Sequence, residues 1–173
     1  MKSSPQAIMR WLAGLAKAAR DRDAFLMDGE RVVGHIVTDE ALAELRDWLV
    51  QEPPKTVIDE QRAVIEACIR MAHANREIDP EERAELKELI AWSGLDEDVT
   101  DALVHEVHFP PPLGDLRERV RHPAIRDVLL ALAWTMAMAD GKADAPEKKL
   151  FSELVSKLGV TEEHADAIRR AVR

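Results

Sequence analysis

The chain has 173 residues, of which 46% are apolar and 33% charged, and its net charge is −9. This length fits one domain with a substantial core, and the negative charge argues against general nucleic-acid binding, which needs clustered Lys and Arg. A lone cysteine, Cys68, excludes a disulfide framework and a cysteine zinc cluster. Tyr is absent and β-branched residues are sparse, so the composition predicts an all-α protein.

The sequence carries no sign of membrane insertion or export. No apolar run approaches the roughly 20 residues that a membrane-spanning helix needs. The N-terminus lacks the apolar core and the cleavage site of a signal peptide. We therefore expect a bacterial-type cytoplasmic protein.

The first predicted helix covers residues 5–20. Its apolar side chains recur at i, i+3, i+4 and i+7 and are Ile8, Trp11, Leu12 and Leu15. Residues 1–20 also hold four cations and no acid. Two interpretations follow: the stripe docks on the helical domain, a partner protein or a second copy of the chain, or it makes peripheral membrane contact as an interfacial helix.

Residues 24–37 have a different character. Asp28-Gly29 lies between short, partly β-branched apolar runs, which predicts a small β-hairpin, and a helix broken at glycines is the alternative. A helix then runs from about residue 39 to 51, and Pro53-Pro54 ends it. We treat residues 1–55 as an N-terminal appendage.

From residue 56 onward the apolar periodicity is that of long helices. The predicted helices cover residues 58–75, 80–93, 96–108, 116–121, 124–139, 146–158 and 161–172. The segment FPPPLG at 109–114 is a rigid connector, because three consecutive prolines cannot lie inside a helix. Gly94 and Gly159 are the predicted helix stops.

This helical part contains an internal repeat. Residues 71–107 lie without a gap on residues 136–172 when they are moved forward by 65 positions. The aligned pairs include Met71 with Met136, Asp79 with Asp144, Glu82 with Glu147, Gly94 with Gly159 and Val107 with Val172. We predict a helical bundle of two three-helix units, about 58–108 and 123–173, related by a pseudo-twofold axis that gives their acidic turns comparable positions.

The second copy, MAMADGKADAPEKKLFSELVSKLGV, resembles the TerB-like (tellurite-resistance protein B) family, whose motif is A-x-A-D-G-x-h-x-x-x-E with h apolar. The first copy, MAHANREIDPEERAELKELIAWSGL, fits it with Asn75-Arg76 in place of Asp-Gly. The resemblance covers about residues 58–173 and not 1–55. It implies an all-helical, internally symmetric fold, a role in tellurite or chemical-stress resistance within membrane-linked complexes, an acidic surface that binds a divalent metal, and no enzymatic activity.

The acids of the two turns have an ordinary structural interpretation. Asp79 and Asp144 each stand three residues before a glutamate, with a proline between them. This is the spacing of a helix-capping box, worth about 0.5–2 kcal/mol. Capping does not account for Asp140, because a carboxylate at a helix C-terminus meets the negative end of the helix dipole.

The second interpretation is an oxygen-ligand site for Ca²⁺ or Mg²⁺ across the turn of the second copy. The spacing is not that of an EF-hand, because the required glycine and final glutamate are missing. Arg76 places a positive charge in the turn of the first copy. We therefore expect the first copy to bind a divalent cation poorly, or to contribute its acids to an acidic patch shared with the second copy. The candidate metal ligands are Asp140, Asp144, Glu147, Asp79 and Glu82.

Three hypotheses about function follow. The first is a non-enzymatic stress-response or scaffold module that binds a divalent cation or a basic partner through its acidic turns. The second is a metal-free structural or dimerisation domain that docks through its N-terminal segment. The third and weakest is a metalloenzyme in which His105 and His108 bind Zn²⁺. A helix end explains these histidines equally well, and Cys68 and His73 fit buried helical positions, so the sequence predicts no enzyme.

Overall fold

A computed structural model of the protein describes residues 39–91, Ser93 and residues 95–172. The helices in this part are α1 (Asp39–Gln51), α2 (Pro54–Ala72), α3 (Pro80–Ala91), α4 (Glu97–His108), α5 (Leu116–Arg119), α6 (Pro123–Ala137), α7 (Ala145–Leu158) and α8 (Glu162–Val172). No strand occurs in the described residues, and the predicted all-α class is confirmed. The predicted helix at 5–20 and hairpin at 24–37 lie outside the described residues, as do Trp92 and Gly94.

The two halves of the repeat are two three-helix units built around α2 and α6. In the first unit α3 and α4 pack on α2 and on each other, and in the second α7 and α8 pack on α6. The most extensive helix-to-helix packing in the described part joins α2 to α6. Around this pair, α1 rests on α6, while α5 contacts both α2 and α7. The bundle therefore has one core shared by both units.

Two helix boundaries differ from the prediction by three residues or more, and the others that can be compared lie within two residues of it. α2 begins at Pro54 rather than at residue 58, with proline in its first turn. Proline is well tolerated there, because the N–H that it lacks would have no partner inside the helix anyway. α2 also ends at Ala72 rather than at residue 75, since a turn begins at His73. The predicted stop at Gly159 is confirmed, with φ of 69° in the left-handed region.

The predicted burial of Cys68 and the partial burial of His73 are confirmed. Cys68 is fully buried, and burial raises the pKa of its thiol to about 12. His73 is half-buried, and its Nε2 lies 2.7 Å from the carbonyl oxygen of Val107. Trp134 packs edge-on against Phe151, with 5.1 Å between ring centroids. None of the helices in the described ranges is both long and apolar enough to cross a membrane.

The repeat extends to the backbone of the two turns. Arg76 has a φ of 73°, and Gly141, its counterpart 65 residues later, has a φ of 98°. This left-handed conformation costs a residue with a side chain about 1–2 kcal/mol, whereas glycine adopts it freely. No heavy atom would lie within 4 Å of a Cβ at Gly141, so only the backbone opposes a side chain there.

Reciprocal substitutions should therefore change stability in opposite directions. Arg76→Gly should raise the free energy of unfolding by up to about 1 kcal/mol, after the greater freedom of glycine in the unfolded chain is allowed for. Gly141→Arg should lower it by about 1 kcal/mol or more. Urea unfolding measures both, and a shift of the same sign in both variants would contradict this explanation.

Candidate functional site

The two turns have matching main-chain hydrogen bonds. We call residues 73–79 the first turn and residues 138–144 the second turn. In the first, the Arg76 amide donates to the His73 carbonyl at 3.1 Å, and in the second the Gly141 amide donates to the Met138 carbonyl at 2.9 Å. The two turns therefore share a backbone conformation as well as an alignment.

Asp140 has a structural role that the sequence interpretation missed. Its Oδ1 accepts a hydrogen bond from the Lys142 amide at 3.0 Å, which is an Asx turn. Asn75 does the same in the first turn, where its Oδ1 accepts from the Glu77 amide at 3.1 Å. The signal was present in the sequence, because both copies have an Asx residue at this position. An acid is therefore not required for the turn.

Both predicted capping boxes are formed. The Glu82 amide donates to Asp79 Oδ1 at 2.8 Å, and the Asp79 amide donates to Glu82 Oε2 at 3.0 Å. In the second turn the Glu147 amide donates to Asp144 Oδ1 at 3.0 Å, and the Asp144 amide donates to Glu147 Oε2 at 2.6 Å. Each carboxylate thus uses one oxygen for the main chain, and the side chains of Asp144 and Glu147 also interact with each other.

The glutamates of these boxes are buried acids. Glu82 is 2% exposed and Glu147 5% exposed. The pKa of Glu82 is raised to about 7, mainly by burial; the Asp79 amide lowers it, and the carboxylates of Asp79, Glu147 and Asp140 raise it. Burial likewise raises the pKa of Glu147, where the hydrogen bond from the Asp144 amide lowers it and the carboxylates of Asp144 and Asp140 raise it.

These shifts show that the two turns lie within electrostatic reach of each other. Glu82 belongs to the first turn's capping box, whereas Asp140 and Glu147 belong to the second turn and its helix. Coulomb effects of this kind fall off over about 10 Å at moderate salt. We call the five residues involved the acidic patch: Asp79, Glu82, Asp140, Asp144 and Glu147.

The acidic patch has the donor chemistry of a hard-cation site but not a preformed geometry. Ca²⁺ and Mg²⁺ prefer oxygen ligands, which the carboxylates supply. Within residues 39–91, 93 and 95–172, however, no group of three or more His, Cys, Asp or Glu side chains is placed to hold a metal ion. A cation would therefore have to draw the carboxylates together by side-chain rotation.

The alternative zinc ligands gain no support from the fold. His105 and His108 are both exposed at the end of α4. The His105 ring lies against Phe109, with 5.1 Å between ring centroids, and neither histidine belongs to a potential metal-holding group among the described residues. The helix-end interpretation is the one that this geometry favours.

Comparison with known proteins identifies the family. The family model described as tellurite resistance protein TerB matches residues 61–170. The chain belongs to the TerB family. The matched residues include both turns of this TerB domain and most of both three-helix units, which confirms the resemblance seen in the sequence. The comparison with curated proteins gave no match, and neither did that with solved structures.

The buried Glu82 should make the stability of the TerB domain depend on pH. Its folded pKa of about 7 exceeds the ordinary value of 4.5. The folded state therefore holds the proton more tightly, and this contribution to stability, complete below about pH 4.5, is lost as the pH rises through 7. Glu82→Gln cannot ionise but keeps an acceptor for the Asp79 amide. Its melting temperature should fall less than that of the wild type between about pH 5 and pH 8.

Glu81→Gln is the matched control, because Glu81 is an exposed residue on the same helix and the substitution removes the same charge. Some pH dependence should remain in every variant, because burial also raises the pKa of Glu60 to about 7. Parallel pH profiles for wild type and Glu82→Gln would show that Glu82 does not titrate as described.

Proposed function

We propose that this TerB protein is a non-enzymatic interaction module of the stress response, whose acidic patch binds a divalent cation such as Ca²⁺ or Mg²⁺ and presents the loaded surface to a partner. One observation carries the proposal: the carboxylates of Asp140 and Glu147 in the second unit help to raise the pKa of the buried Glu82 in the first. Carboxylates of the two turns are therefore close enough to repel one another.

Mutual repulsion within the patch is the reason to expect a cation. Burial is the largest cause that makes Glu82 and Glu147 hold their protons more tightly than usual, and the nearby carboxylates add to it, because like charges that lie close together disfavour ionisation. A divalent cation would relieve the same repulsion and release those protons. Because the ligands are not preorganised, the affinity should fall in the weak range of Ca²⁺ sites, about 10⁻⁴–10⁻³ M.

The chemistry of the described side chains favours binding over catalysis. Cys68, the sole thiol, is fully buried and holds its proton up to about pH 12, so it is a poor nucleophile. The carboxyls with raised pKa at the turns are engaged in helix caps rather than facing an enclosed pocket. These roles support a module that recognises other molecules.

Thermal melts of matched variants test the cation. Asp140→Asn should keep the second turn intact, because Asn75 forms the same Asx turn in the first, and it removes one charge only. Wild-type protein should melt higher in about 10 mM Ca²⁺ or Mg²⁺ than in EDTA, since a ligand at about 10 to 100 times its Kd adds roughly 1.4–2.7 kcal/mol. The shift should shrink in Asp140→Asn and grow in Asn75→Asp.

Two further conditions separate binding from general screening. NaCl at equal ionic strength should produce a smaller shift than the divalent cation, because screening depends on ionic strength alone. The divalent shift should be larger near pH 8 than near pH 6, since the proton on Glu82 competes with the cation. Equal shifts in NaCl and Ca²⁺, or none in any variant, would refute the cation site and favour the metal-free scaffold that docks through residues 5–20.

A further inference from the structure

A second charged feature lies beside the second turn, where α6, α7 and α8 meet. It is a cleft of about 550 Å³, which we call the cationic cleft. Its charged lining residues are Lys142, Lys148, Arg169, Arg170 and Asp166, and Trp134 contributes its indole. Four cations against one carboxylate are unusual in a chain with a net charge of −9. Such a local excess of positive charge favours anions.

Most of this positive charge has no ion-pair partner within residues 39–91, 93 and 95–172. Arg169 pairs with Asp166, which neutralises the only carboxylate of the cleft's lining. The same guanidinium lies 5.4 Å from the centroid of the Trp134 ring and 5.3 Å from that of Phe151, so these aromatic faces position it. The remaining cations, Lys142, Lys148 and Arg170, are exposed and form no ion pair with any residue that the structure describes.

The Trp134 indole has an unused hydrogen-bond donor beside the cleft. Trp134 is only 4% exposed, and its Nε1 has no hydrogen-bond acceptor among the described residues. Buried donors in folded proteins nearly always have a partner, and the indole nitrogen can only donate. Because Nε1 is closed to solvent, a ligand oxygen in the cleft would reach it only after neighbouring side chains such as Arg169 move, and it would then supply an acceptor.

The repeat provides an internal comparison. The positions in the first unit that correspond to Trp134, Lys142, Arg169 and Arg170 are Ile69, Glu77, Val104 and His105, whereas Lys148 corresponds to another cation, Arg83. The same fold thus accommodates an apolar side chain in place of the indole and an acid in place of Lys142. The indole and three of the four cations are therefore found in the second unit alone, and folding of a three-helix unit does not require them.

We propose that the cationic cleft binds a phosphoryl group, either as inorganic phosphate or as the phosphate monoester of a small molecule. A phosphate monoester carries nearly two negative charges at neutral pH and three acceptor oxygens. This matches three uncompensated cations and one unsatisfied indole donor better than a carboxylate does, with one charge and two oxygens. The cleft lies within the usual size range of small-molecule sites, so it has room for an organic group beside the phosphate.

The indole N–H signal of Trp134 in nitrogen-15 NMR spectra tests the proposal directly. The signal is assigned with Trp134→Phe or from its contacts with the Phe151 ring. Titration with phosphate at constant ionic strength should shift it in a saturable manner, whereas acetate should not. Glycerol phosphate as a second probe distinguishes the sources: tighter binding than phosphate indicates an organic ester, and equal binding indicates the inorganic ion.

Two lysine variants separate a specific site from general electrostatics. Lys142→Glu introduces the residue that the first unit has at this position and should weaken phosphate binding at least about tenfold, as expected when a charge-assisted hydrogen bond is lost. Lys149→Glu makes the same charge change on α7 but outside the cleft, and should weaken binding less than about twofold. Both lysines are exposed, so both variants should fold. An unsaturable shift, saturation by acetate, or equal weakening in both variants would overturn the proposal.

Discussion

The packing of α2 against α6 is the constraint on which the rest of this structure depends. Most residues of both helices are buried, 12 of 19 in α2 and 12 of 15 in α6, and each helix packs against the two other helices of its own three-helix unit. The pair therefore forms the shared core and relates the two units of the repeat. Because a close-packed interior does not allow one helix to slide past another, this contact also fixes where the C-terminal ends of α2 and α6 lie. Those ends lead into the two turns.

The two turns share one backbone conformation but present different side chains to solvent. Both keep the capping box and the Asx turn, since these satisfy main-chain groups that would otherwise lack partners. Positions that the backbone does not constrain have diverged, such as Glu77 in the first turn and Lys142 in the second. Four acids of the two capping boxes, together with Asp140 of the second Asx turn, form the acidic patch. The cationic cleft belongs to the second unit alone.

The features that the sequence predicted are local, and those that it missed depend on tertiary contacts or on competing local effects. The helices after residue 56 and both capping boxes follow from spacing within one turn of helix, so periodicity and cap residues were sufficient. The start of α2 was misplaced because Pro53-Pro54 suggests a helix end as readily as a helix start. Asp140 was judged against the helix dipole, although the aligned Asn75 points to an Asx turn. The cationic cleft could not be predicted, because Trp134 and Arg169 meet only through the packing of α6 and α8.

The central claim is that the turns of the two units share one electrostatic surface, and the pKa of Glu82 measures this most directly. Carbon-13 NMR of the side-chain carboxyl gives its titration midpoint in wild type and in Asp140→Asn. We expect a midpoint of about 7 in the wild type and a lower one in the variant, because a carboxylate that raises the pKa has been removed while the turn is kept. An identical midpoint in both proteins would contradict the claim, since the charge of Asp140 in the second turn would then have no effect on the pKa of Glu82.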